Sequence, residues 1–180
     1  LSKIFKSHDL VNTNHKLITD HINGKLNNNF NDCKRWEVPS LIRCNSNNLF
    51  SFTYESNTWR AMKYVEEASS LDSLEDYKMA YQTGIGLANF HEKCSDIDLM
   101  KLENTIKDFH NTKNYIEKFN LIISDYNFIK QDDNINKRVK KLIFSLSNHI
   151  LYVESLLGYL KKKSIKPSLI HGDPKLSNFL

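Results

Sequence analysis

The chain is poor in cysteine, proline and glycine: three, three and five among 180 residues. Its cysteines, Cys33, Cys44 and Cys94, are odd in number and scattered, without metal-ligand spacing. That excludes a disulfide scaffold and favours a reducing compartment, so a cytoplasmic location is expected. So few turn-formers argue against a β sandwich and for helices. Long apolar runs are also missing. The most apolar stretch, from about Leu142 to Leu160, is interrupted by His149 and Glu154, so neither a signal peptide nor a membrane span is expected. Charge of one sign is lacking too: 25 basic against 21 acidic residues leave a net +4, interspersed along the chain. That is too mild to argue for a nucleic-acid partner. What is present, 40% hydrophobic residues, suffices for one sizeable core, or one domain plus part of another.

Taken in order, Ser7 or Asp9 can cap a helix through about Ile22. Leu10, Val11, Asn14, Leu17, Ile18 and His21 fall near one face, and Gly24 is expected to end it. Asn27-Asn28-Asn29 reads as a polar loop. Three short apolar or β-branched runs then follow, at about residues 38–44, 49–53 and 58–65, separated by Asn-rich and Glu-Ser-Asn turns. They suit an antiparallel meander.

From Ser73 onward helix signals dominate. Ser73 and Glu75-Asp76 open a segment reaching Lys93, with Tyr77, Ala80, Tyr81, Gly84, Ile85, Leu87, Ala88 and His91 expected to face inward. Two glycines inside it would each cost about 1 kcal/mol, which close packing against a neighbour would explain. Asp108-Phe109-His110-Asn111-Thr112 is a polar knot before a helix from Asn114 to about Tyr126, with Asn111 or Thr112 as candidate caps. Asp132-Asp133-Asn134 caps a long helix from about Ile135 to Lys163. Its expected apolar face is Val139, Leu142, Ile143, Leu146, Ile150, Val153, Leu157 and Leu160.

The chemistry concentrates at the far end. Leu169-Ile170-His171-Gly172-Asp173-Pro174-Lys175-Leu176-Ser177-Asn178 contains H-x-D-x-x-x-x-N between apolar flanks. In kinases a loop of this spacing uses the Asp to orient the acceptor hydroxyl and take its proton, while the Asn holds magnesium. The bland reading is a solvated loop with a turn at Asp-Pro.

Four stretches together carry a resemblance. They are Ile4-Phe5-Lys6 with the Leu17-to-Ile22 helix, Trp59-Arg60-Ala61-Met62-Lys63-Tyr64-Val65-Glu66, residues 106–112 (Ile-Lys-Asp-Phe-His-Asn-Thr), and the 171–178 loop. With them the chain resembles the aminoglycoside phosphotransferase and choline kinase superfamily, most nearly its N-acetylhexosamine 1-kinase group. The resemblance implies an α+β, protein-kinase-like fold, truncated at both ends, mostly helical with a small antiparallel meander. Residues 1–66 would be the remnant of an N-terminal lobe and 67–180 part of a helical C-terminal lobe.

It also implies site roles. Asp173 would be the base, His171 a brace for the loop, and Lys175 a positive contact for the transferred phosphate. Asn178 would ligate Mg2+. Tyr64, Val65 and Glu66 would form the hinge at the adenine of ATP. Asp20 would stand where the family's helix acid partners a phosphate-binding lysine. Asp108, His110 and Asn111 are candidates for the acceptor pocket, with a structural role equally open. The acceptor implied is a sugar of the N-acetylhexosamine type. Choline, ethanolamine, homoserine or an aminoglycoside are the alternatives, and a degenerate kinase relative that only binds a ligand is the non-enzyme one. The nucleotide loop, the phosphate-binding basic residue and the metal-binding Asp are expected outside the chain. An internal fragment lacking them is expected to be inactive by itself.

Overall fold

A computed structural model describes residues 4–28, 36–45, 47–70, 72–125, 133–163 and 165–178. Among them the chain is mixed, mostly helical with two small antiparallel sheets. It divides into two compact units, residues 1–107 with 168–180, and residues 108–167. The lobe boundary expected at residue 66 falls inside the first of these. Cys33, Tyr126, Asp132 and the Phe179-Leu180 end lie outside the described residues.

In the first unit, α1 spans His8–Asn28 and starts at Ser7, whose hydroxyl accepts from the Leu10 amide (3.4 Å). Gly24 does not end it, contrary to expectation. The residues beyond have more to gain as helix than the glycine costs. Leu26 packs on the buried Ile22–Cys94–Ile97 cluster. Lys25 Nζ donates to the Lys93 carbonyl (2.8 Å) and to the Asp96 carboxylate. Asn27 and Asn28 accordingly belong to the helix rather than to a loop. The middle of α1 is clasped reciprocally: Asn14 Nδ2 donates to the Glu103 carbonyl (2.6 Å) and the Glu103 amide donates to Asn14 Oδ1 (3.2 Å).

The expected three-stranded meander is replaced by two nested pairs. Strand β1 (Leu41–Ile42) pairs with β4 (Ala61–Met62), and β2 (Phe52–Tyr54) pairs with β3 (Asn57–Trp59), both antiparallel. The cause lies in residues 43–51, which fold back on themselves instead of extending. The Cys44 amide donates to the Leu49 carbonyl (2.7 Å), and Asn48 turns the chain at φ 58°. The Arg43 guanidinium covers the Phe50 ring at 4.5 Å. The first run is thereby released to pair with the far half of the third. Glu55 and Ser56, at φ 47° and 62°, form the two-residue turn with left-handed residues that suits the twist of a tight hairpin.

Helix α2 (Tyr77–Lys93) is capped as expected, Asp76 Oδ1 accepting from the Met79 amide at 2.8 Å. Its inward face is the expected one only at Ile85 and Leu87. Tyr77, Ala80, Tyr81, Gly84, Ala88 and His91 are exposed, whereas Thr83, Ile85, Gly86, Leu87, Asn89, Phe90 and Lys93 are half-buried. Nothing lies within 4 Å of a Cβ built on Gly84, so close packing does not account for it.

The second unit holds α3 (Thr112–Asp125) and α4 (Asp133–Lys162). Along α4, Val139, Ile143, Ile150 and Val153 are half-buried, while the expected Leu142, Leu146, Leu157 and Leu160 are exposed. The apolar face is therefore narrower than the repeat of leucines indicates.

Candidate active site

The first unit contains a cleft of about 1140 Å³. Its walls come from stretches far apart in sequence: the mid-section of α1, residues 36–39, Val65 with residues 67–69, the inner face of α2, and Ile170, His171 and Asn178. Each wall has a local reason for its position. The α1 side is held to residues 36–39 by His15, whose Nε2 donates to the Pro39 carbonyl at 2.7 Å. Burial lowers the His15 pKa and nearby Arg60 adds to this, against the raising effect of the Pro39 bond, so the neutral ring is favoured. The loop side is anchored by Leu169, which packs on the Ile22 cluster. Phe90 packs on the same cluster and meets the His171 ring edge-to-face, centroids 5.6 Å apart at 68°.

The loop itself is a compact hydrogen-bonded unit. Gly172 adopts φ +82°, a left-handed conformation that L side chains rarely take, and the turn brings the Asp173 amide to His171 Nδ1 (3.3 Å). The Lys175 amide donates to the Asp173 carbonyl (2.8 Å), and a short 3-10 helix, Leu176–Asn178, follows. Asn178 then reaches back. Its Nδ2 donates to the Asp173 carbonyl at 2.7 Å and lies 3.5 Å from the Asp173 carboxylate. Lys175 Nζ stands 3.4 Å from the same carboxylate. Both partners of that ion pair are well exposed, so it contributes little to stability. Its consequence is to place one cation and one carboxylate side by side at the surface.

The residues singled out in the sequence are thus distributed unevenly. His171 and Asn178 line the cleft together with Val65. Asp173 and Lys175 are tied to Asn178 but are not among the lining residues. Tyr64 is 76% exposed and, like Glu66, lies off the cleft wall. Asp20 is engaged by Lys16 on its own helix, one turn away.

Asp108, His110 and Asn111 belong to the second unit, where they build the start of α3. Asn111 Oδ1 accepts from the Asn114 amide (3.2 Å), Asp108 Oδ1 accepts from Asn114 Nδ2 (2.8 Å), and the His110 amide donates to the Tyr115 hydroxyl (3.1 Å). Asp108 and His110 both sit at positive φ, 58° and 56°. Asn111 thus caps α3, and Asp108 and His110 are tied to the same first turn by side-chain bonds.

Sequence reasoning missed Phe90, Asn89 and Gln82 as cleft residues. The inward stripe expected on α2 includes Ile85 and Leu87 but none of these three. Phe90 alone, the large aromatic one turn before the helix end, carried a usable signal.

No group of three or more His, Cys, Asp or Glu side chains that could hold a metal occurs among the described residues. The Asn178 amide oxygen and the Asp173 carboxylate are still hard oxygen donors on one loop. The Asn178 oxygen is of the kind magnesium takes as one ligand beside waters and substrate phosphates, whereas the Asp173 carboxylate is already paired with Lys175. No helix among the described residues is long and apolar enough to cross a membrane. No protein-family model matches the chain.

Proposed function

We propose that the chain carries the catalytic loop of an ATP-dependent small-molecule kinase with a protein-kinase-like fold. It would transfer the γ-phosphate to a hydroxyl, that of an N-acetylhexosamine-type sugar first among the acceptors. The observation that carries this reading is the tie between Asp173 and Asn178, the two chemical positions of H-x-D-x-x-x-x-N. They are joined by a side-chain amide at the rim of a cleft that also contains Val65.

In this reading Val65 marks where the adenine lies, and the cleft volume of about 1140 Å³ exceeds the roughly 300–1,000 Å³ usual for small-ligand sites. Asp173 orients the acceptor hydroxyl and accepts its proton as the bond to phosphorus forms and the bond from phosphorus to the ADP oxygen breaks. Lys175 offsets charge on the transferred phosphoryl oxygens. His171 holds the backbone on which Asp173 rides. Asn178 would be one ligand of magnesium, which when bound neutralises charge on the phosphates, and Asp173 is left to act as the base.

The test is an acceptor panel with the full-length gene product: ATP consumption with N-acetylglucosamine, N-acetylgalactosamine, choline, homoserine and kanamycin. Consumption driven by an N-acetylhexosamine supports the reading. Nucleotide binding with no acceptor-dependent consumption favours a ligand-binding relative instead, and absence of nucleotide binding ends both.

A further inference from the structure

The mechanism above uses His171 as a brace but leaves open what fixes the brace itself. Phe90 is rooted in the buried cluster of Ile22, Cys94 and Ile97, on which Leu169 also packs. From there its ring presents an edge-to-face contact to the His171 imidazole, centroids 5.6 Å apart. Such a geometry aligns the positive edge of one ring with the negative face of the other, so it restrains rotation as well as filling space. On the same imidazole, Nδ1 accepts the Asp173 amide across Gly172 at φ +82°. Accepting that bond requires Nδ1 to carry the lone pair, which sets the Nε2–H tautomer of the neutral ring. The order of restraint therefore runs from the core through Phe90 to His171, and from there to the backbone of Asp173. Nothing in the sequence alone ties residue 90 to residue 173, 83 positions later.

We infer that Phe90 is a positioning residue for the catalytic loop: it fixes the His171 ring in the orientation and tautomer that hold the Asp173 backbone. The functional half of this inference rests on the phosphotransfer reading; the geometric half does not.

The experiment compares Phe90→Leu and Phe90→Met, apolar replacements close in volume that keep the core filled, with Phe90→Tyr, which keeps a ring. On the present chain, long-range 1H–15N spectra of the His171 ring report which nitrogen is protonated. Wild type and Phe90→Tyr are expected to show an unprotonated Nδ1. Phe90→Leu and Phe90→Met are expected to show a mixture of tautomers and faster exchange of the Asp173 amide.

In the full-length gene product the same two variants are expected to lower kcat by roughly 10- to 100-fold, as a displaced catalytic group would. Phe90→Tyr should restore it. If the leucine and methionine variants keep the wild-type His171 tautomer and Asp173 exchange, the inference is overturned, whatever happens to activity. A wild type without phosphotransfer but with a His171 ring sensitive to residue 90 rejects the kinase reading and keeps the positioning role.

Discussion

Replacing Gly172 by alanine separates loop geometry from overall stability. The residue sits at φ +82°, and nothing lies within 4 Å of an added Cβ, so the substitution meets no steric wall. What it meets is backbone strain, about 1–2 kcal/mol for a non-glycine residue in the left-handed region. Loss of glycine's freedom in the unfolded chain offsets about 0.4–1 kcal/mol of that. The net destabilisation is then between about 0 and 1.6 kcal/mol, a fall in Tm of at most roughly 6 °C for a chain of this size. Because Asp173, Lys175 and Asn178 are all exposed, the loop can relieve the strain by moving without disturbing the core. It does so by surrendering the bond from the Asp173 amide to His171 Nδ1. Calorimetry on the variant should show the small shift, while phosphotransfer by the full-length gene product should fall far more, by roughly 100-fold for a displacement near 1 Å. Gly172→Asn, which tolerates positive φ better, should recover part of the loss. Full activity in Gly172→Ala, or a Tm drop of many degrees, would refute this account of the turn.

Other consequences follow from the same structure. Lys25 foremost, and His21 at 3.0 Å, hold the Asp96 carboxyl from 3.8 down to about 2. A depressed carboxylate pKa contributes stability above its unfolded value and loses it as pH falls through the folded one. The wild type should therefore shed stability between about pH 4 and pH 2 more steeply than Asp96→Asn, as acid-denaturation midpoints would show. An identical slope in the two proteins would remove the brace. Ile22 is completely buried at the centre of the first unit, so Ile22→Ala should cost about 2–5 kcal/mol in urea unfolding. A loss below about 1 kcal/mol would mean that the cluster is not the core.

What the sequence made legible was local. The caps at Ser7, Asp76 and Asn111, each among the candidates named, depend on a side chain and an amide three residues away, and all three formed. What it hid was decided by distant partners. Gly24 looked like a stop because the contacts that carry α1 past it, through Lys25 and Leu26, are with residues 93–97. The inward face of α2 was misplaced because its tyrosines are amphipathic and stay at the surface, while Asn89 and Gly86 face the cleft. The meander differs because residues 43–51 fold back, with the Cys44 amide on the Leu49 carbonyl and a turn at Asn48, and this changes which strands meet. At the candidate site, the spacing of Asp173 and Asn178 was readable, and the structure brings the two together. The support of the loop by Phe90 was not readable, since it depends on the packing of α2 against Leu169 and the Ile22 cluster.

The proposed chemistry turns on the carboxylate of Asp173, and the most direct measurement is turnover of the full-length gene product against an Asp173→Asn version. The substitution keeps shape and hydrogen-bonding capacity but removes the base, with ATP and N-acetylglucosamine at saturation and nucleotide binding measured alongside. Loss of a general base typically removes about 10²- to 10⁴-fold. We expect kcat to fall by that factor with ATP affinity retained; equal turnover of the two proteins would contradict the account.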